Sequence, residues 1–370
     1  MWLMLALAIL IAAPASAAPY TILDLGTLGG SGTSIGTALN ARGQVTGQAV
    51  TAAGGNRAFL YDGSMHDLGT LGGRNVSLGA GINDSGHVTG YSYPPGSAEF
   101  HAFLYDGTMH DLGAPGFSIA RGINDSGRAT GSFDVITVEG SFEHAFLYDG
   151  AMHDLGMLPG GKRSAGNGIN ASGQVTGQSE SLDTAGNFVA HAFLYDGTMH
   201  DLGTLGGNFP GPLGGSLSQG NGINARGQVT GYSATSDTTG YNGRHAFFYD
   251  GTMHDLGTLG GSISAGSGIN LSGQVTGYSD ITGDSAKHAF LYDGIHGMVD
   301  LNSLINPSSG WVLNDGNGIN DVGQITGDGM IGGQTHAFLL TPIVPEPSSI
   351  VLAAFGFTAL TAPGWRKRSR

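Results

Sequence analysis

The chain has no cysteine, so no disulfide staples it and packing alone must hold the fold. Charge is scarce as well: Asp, Glu, Lys and Arg make up only 11% of its 370 residues. So little charge beside 68 glycines excludes an ordinary helical enzyme. Positive charge is scarcer still, because four of the 14 basic residues fall in 366–370, leaving 10 against 28 acidic residues and a balance of −18. Such a body repels nucleic acid and anionic membrane surfaces, and no nucleic-acid partner is expected. Disorder is excluded by the 40% hydrophobic content, which recurs in short runs bounded by Gly, Asn or Asp, the pattern of many short strands.

Longer apolar runs occur only at the two ends. Residues 2–13 form one, followed by Pro14 and Ala15-Ser16-Ala17-Ala18, which reads as a signal peptide spanning residues 1–17, although no Lys or Arg precedes it. At the other end Pro345-Glu346-Pro347 precedes an apolar stretch from Ile350 to Trp365. The basic cluster Arg366-Lys367-Arg368-Ser369-Arg370 follows it. Trp365 with Arg366, Lys367, Arg368 and Arg370 suits the cytoplasmic flank of a membrane segment. The tail, residues 344–370, resembles the PEP-CTERM sorting signal of bacterial exported proteins. That resemblance implies an exosortase-type processing protease as partner, recognition of Pro345, Glu346 and Pro347 by it, and transient anchoring before processing. The expected address is the cell envelope, the cell surface or the extracellular polymer.

Between the ends, residues 18–343, one phrase returns. HAFLYDGTMHDLG starts at His101, His144, His191, His245 and His288, with a variant at Arg57 and a truncated copy at His336. The starts are 44, 43, 47, 54, 43 and 48 residues apart, a period shared by propeller blades and some helical repeats. Composition decides between them. Each unit offers four strands: a (Ser164 to Asn170), b (Gln174 to Gly177), c (His191 to Asp196) and d (Met199 to Gly203). Strands a and b are joined by Asn-x-x-Gly, as at Asn83 to Gly86, and c and d by Asp-Gly, as at Asp106-Gly107. Both are hairpin signals, and four antiparallel strands in succession form a propeller blade.

Strand a starts at Ser34, Ser77, Ser118, Ser164, Ser218, Ser264 and Leu313, so the unit occurs seven times. The last copy lacks strand d, whereas Tyr20 to Gly26 is a strand d with no blade before it. The sequence therefore predicts an all-β, seven-bladed propeller of four-stranded antiparallel blades, its last blade completed by the N-terminal strand, which also removes exposed sheet edges. The consecutive apolar residues of His-Ala-Phe-Leu-Tyr predict cover on both faces of strand c. The unit resembles the HAF family of extracellular repeats, with departures at Arg57-Ala58-Phe59 and at Phe248; that family implies no catalytic residue.

The residues give little sign of chemistry. Eleven of 13 histidines occupy two repeated slots, in strand c and in strand d, which suits anchoring a turn to Asp better than a metal. Gly32-Thr33-Ser34-Ile35-Gly36 spells a nucleophile elbow but opens a strand instead of joining strand to helix. Thr-Leu-Gly-Gly segments such as Thr204 to Gly207 read as linkers. No catalytic residue, metal or cofactor is expected, and the chain is expected not to be an enzyme.

Variation concentrates in the b–c and d–a loops, which emerge on one face, while the a–b and c–d turns are constant. The variable face is the expected binding face. Its aromatic candidates are Tyr91, Tyr93, Phe100, Phe133, Phe142, Tyr232, Tyr241 and Tyr278, and its acids are Glu139, Glu180, Asp183, Asp237 and Asp284. The sequence thus predicts an exported scaffold binding a polysaccharide or surface protein. A hydrolase or lyase acting on extracellular polysaccharide, or a purely structural spacer, are the alternatives.

Overall fold

The computed structural model describes residues 19–343 except 115, 208–216 and 237–242. The signal segment, the sorting tail with its membrane flank, Asp237 and Tyr241 therefore lie outside the described residues. Among the described residues no helix is long and apolar enough to cross a membrane.

The chain is all-β, and its strands form four-stranded antiparallel units, seven among the described residues. In sequence order the blades cover residues 29–67, 77–111, 118–154, 160–201, 218–255, 260–300, and finally 312–342 together with Tyr20–Gly26. Blades five and six are linked into one sheet by a single parallel pairing, Arg244 with Ile263. Within each blade strands a to d run in order, and in the last blade the N-terminal strand pairs antiparallel with Gln334–Pro342, Tyr20 opposite Pro342. This is the closure that the orphan strand predicts.

The core explains why the repeat is spelled as it is. Phe59, Phe103, Phe146, Phe193, Phe247, Phe290 and Phe338, the third residue of each copy, are all fully buried. Ala58 and Phe59 point to opposite faces of their strand, so Phe59 joins a cluster with Val45, Ala337 and Leu339 of the last blade. Ala58 joins one with Val88 and Phe103 of the second. Apolar packing is therefore divided among the seams between blades, as expected when both strand faces need cover. Between the inner strands there is no room for side chains: a Cβ on Gly177 would lie 1.9 Å from the carbonyl oxygen of Ala165.

Polar side chains fasten blade to blade. Asn40, which closes strand a, accepts the amides of Arg42 and Gln44 on Oδ1, as an Asx turn does, and its Nδ2 donates to the carbonyl of Asn83 in the next blade at 3.0 Å. The same bond runs from Asn83 to Asn124, Asn124 to Asn170, Asn170 to Asn224, and Asn224 to Asn270. Asn270 continues it to Asn320, and Asn320 returns to Asn40 at 3.1 Å, closing the circle.

The Thr-Leu-Gly-Gly segments differ from their reading as linkers. In the first and sixth blades the strand itself begins there, at Gly29 and Gly260, and in the fourth it begins in the corresponding Met-Leu-Pro-Gly-Gly at Gly160; the three glycines pair with Thr51, Ile281 and Ser181.

Candidate functional site

Histidines and the elbow-like serine belong to the frame. In strand c, His101 Nδ1 lies 2.8 Å from Asp111 of strand d, and the pairing recurs at His144–Asp154, His288–Asp300 and His336–Asp24. In strand d, His110 Nε2 lies 2.9 Å from Asp106 of the c–d turn. Ser34 is fully buried, donating to the carbonyl of Gly26 and accepting the amide of Ala337. The central cavities, about 280 and 230 Å³, are walled by an Ile or Leu from each blade, with a repeated Asn beside it in the first; a neighbouring slot changes from blade to blade, as at Thr37, Ala80 and Arg121 in the second. The Ile and Asn rings are built alike by nearly every blade.

Two slots per blade break that uniformity: the residue after Val-Thr-Gly in strand b, and the residue just before His-Ala-Phe in strand c. Antiparallel pairing sets Tyr232 opposite Ala246 and Tyr278 opposite Ala289, so these two slots are diagonal neighbours. Both sit toward the end of the blade where the variable loops emerge.

In blades five and six the slots hold a cation over a phenol. The Arg244 guanidinium lies 4.7 Å from the centre of the Tyr232 ring and donates to the Tyr278 hydroxyl of the next blade at 2.8 Å. Lys287 Nζ lies 4.7 Å from the centre of the Tyr278 ring and 2.6 Å from Asp315 of the blade after that. Asp315 is the cross-strand partner of Asp328. Tyr232, Arg244, Tyr278, Lys287, Asp315 and Asp328 thus form one row over three consecutive blades, with each cation held by stacking and by a charge-assisted or neutral hydrogen bond. Asp315 stands opposite Asp328 as Ile35 stands opposite Gln48 and Ala265 opposite Tyr278, and the extra residue Asn314 is taken up by a register shift between Leu313 and Asp315.

Burial and then the neighbouring Asp315 push the Asp328 carboxyl up to about 6. Burial works against the Lys287 ammonium, but the hydrogen bond and charge of Asp315 outweigh it and hold the group above its ordinary range. Burial, then Asp284, pushes Asp280 up. The Tyr232 phenol is pushed up by burial.

Other predicted face residues form two further patches. Tyr91 and Tyr93 pack on Phe100 with ring centres 4.6 and 5.6 Å apart, Phe100 packs on Phe117 at 4.2 Å, and Arg74 lies over Tyr93. Glu139, Phe142 and Glu180 converge on Lys162, whose Nζ is 2.9 Å from Glu139 and 5.4 Å from the Phe142 ring centre. The Lys162 amide donates to Glu180 at 3.2 Å. Three candidates are engaged in the frame instead. Phe133 turns inward against Phe146, Asp183 accepts the amides of Ala185 and Asn187 in its own turn, and Asp284 accepts the amide of Ser262.

Sequence reasoning missed Arg244, Lys287, Asp315 and Asp328, because it looked for variation in loop length and not within the strands. The available signal was the change of residue after Val-Thr-Gly: Gln48, Tyr91, Gln178, Tyr232, Tyr278 and, in the Ala-Thr-Gly and Ile-Thr-Gly copies, Ser132 and Asp328.

In sequence the chain matches no family model and no curated protein. Solved structures similar to it in fold include a Hadza microbial sialidase, at 9% identity and a TM-score of 0.43, covering 87% of this chain and 68% of that one. A mutant Aleuria aurantia lectin in complex with Fucα1-6GlcNAc shares 13% identity, with a TM-score of 0.39 and 72% and 94% coverage. The Trypanosoma rangeli sialidase with the inhibitor DANA shares 10% identity, with a TM-score of 0.39 and 93% and 62% coverage.

This is a fold that sialidases and lectins share. The expectation that the chain is not an enzyme is therefore withdrawn, since glycosidases stand beside lectins among those structures. The fold also brings two carboxylates together, since pairing sets Asp315 opposite Asp328 on adjacent strands.

Proposed function

We propose that this protein recognises saccharide on its variable face, through the row from Tyr232 to Asp328. The observation that carries the reading is the pair of stacked cations, Arg244 on Tyr232 and Lys287 on Tyr278, set in strand positions that the other repeats fill differently. Aromatic rings offer flat apolar faces to sugar rings, and fixed charged and amide groups beside them bond hydroxyls, the mixture expected of a polar-ligand site. Rigid strands hold these side chains, so little ordering cost accompanies binding. A glycan array probed with the purified protein, then with Arg244→Ala, tests it. Binding that the substitution abolishes supports the reading; an array with no signal contradicts it and favours a structural spacer.

A second reading, hydrolysis of extracellular polysaccharide, is favoured by one observation: two carboxyls on adjacent strands, Asp328, pushed up to about 6, and Asp315, paired with Lys287. Glycoside cleavage needs an acid and a second carboxyl beside it, and a carboxyl raised towards neutral pH suits the acid. Release of reducing ends by the protein, lost in Asp328→Asn, supports it; intact polymer after incubation opposes it.

The proposal includes export and envelope delivery as a HAF-type repeat protein with an exosortase-processed tail. One feature of the fold supports that address. The Ile343 amide donates to the Pro19 carbonyl at 2.8 Å, so both ends leave the propeller side by side, near the a–b turn at Gly323 where Pro342 packs. A tether at that end leaves the variable face turned outward.

A further inference from the structure

Around the row, four carboxyls are served by two cations. Asp315 and Asp328 are cross-strand partners, and Asp280 is the cross-strand partner of Lys287. Asp284, which holds the amide and hydroxyl of Ser262, acts on Asp280. Lys287 spends its closest contact on Asp315, and Arg244 spends its hydrogen bond on a neutral phenol. Among the described residues two carboxyls, Asp280 and Asp328, have no cation in contact, and both hold their protons more tightly than usual. Lys287 itself shows what the place accepts: a primary ammonium between a tyrosine face and a carboxylate. A further negative charge would meet an excess of its own sign.

We infer that the ligand carries a free amine, as an amino-sugar polymer does, and that this amine seats against Asp328 beside the Lys287–Asp315 pair. The inference rests on the saccharide reading of the same row. An ammonium there competes with the proton of Asp328, so binding weakens as pH falls through about 6, and the protons it releases increase in the same direction. The titratable groups facing Asp328 are Asp315 on its strand a partner and Lys287 of the preceding blade. On its other neighbour His336 is bound to Asp24, and the adjoining strand Gly29–Leu39 carries none.

Calorimetry of the full-length protein tests this, with glucosamine oligomers, N-acetylglucosamine oligomers and uronate oligomers as separate probes, at about pH 7 and about pH 5 in buffers of unlike ionisation heat. The expected result is glucosamine binding about tenfold or more tighter than the N-acetylated oligomer at the higher pH, and a narrower gap with greater proton release at the lower pH. Asp328→Asn should remove the preference while sparing whatever affinity the N-acetylated probe has. Equal binding of free and acetylated oligomers, or tighter uronate binding, overturns the inference and leaves the saccharide reading intact. No binding of any probe, and none of any glycan on the array, overturns both. The wild-type comparison of free and acetylated probes decides even if Asp328→Asn fails to fold.

Discussion

His336 Nδ1 lies 2.9 Å from Asp24 Oδ2 across 312 residues of chain, the same c–d contact that His101 makes with Asp111 only ten residues away. The N-terminal strand is thus bonded as if it were the missing strand d of the last blade. Ser34 adds to the clasp by joining Gly26 of that strand to Ala337. Deleting residues 20–26 should therefore cost far more than its length suggests, because it removes Leu25, exposes its neighbour Leu339 and opens the ring. Asp24→Ala should cost only on the order of 1 kcal/mol, one partly exposed pair. Urea unfolding of both variants checks this: a broadened or multistep transition is expected for the deletion and a small uniform shift for the point variant.

The asparagine circle is a second target. Asn170 is buried, accepts the amides of Ser172 and Gln174, and donates to Asn224 of the next blade. Asn170→Ala leaves those groups without partners and should cost about 1–3 kcal/mol. Thermal unfolding measures the loss, and an unchanged midpoint would mean that the circle contributes nothing.

Glycines of two kinds should respond differently. Gly177→Ala drives a Cβ against the Ala165 carbonyl, so it should prevent native packing. Gly107, at φ +119° with open space around it, should lose about 1–3 kcal/mol on change to Ala, the cost of its backbone conformation. Soluble yield and melting temperature of the two variants distinguish them.

These three sites show what the sequence made legible. Strand order, hairpin turns and the orphan strand at Tyr20 followed from local signals, because a turn is encoded by the few residues that make it. Contacts between blades were not legible: nothing local in Asn40 reveals a donor aimed at Asn83, and the spacing of Asp315 from Asp328 hides that they face each other. Pairing register creates that site, and register is a property of the assembled sheet.

Acid should act in two opposite ways. The carboxyls of Asp106, Asp149, Asp196 and Asp250 are held below their ordinary range, first by hydrogen bonds from His110, His153, His200 and His254. A lowered carboxyl contributes stability above its unfolded value, near 3.9, and loses it as pH falls through the folded one. Stability should therefore drop below about pH 4. Asp328 has the reverse sign: raised to about 6, its contribution is fully present below about pH 4 and lost as pH rises through about 6. Asp328→Asn should accordingly be more stable than wild type at neutral pH, by up to about 2 kcal/mol, with the gap closing by about pH 4. Denaturation curves across that range test the sign.

The row itself is tested most directly by binding. Retention of the purified protein on isolated extracellular polysaccharide should fall about tenfold or more in Arg244→Ala, with the melting temperature little changed. Tyr232→Ala should behave alike, since it removes the ring under the same guanidinium. Undiminished retention by both folded variants would contradict the assignment of the site to this row.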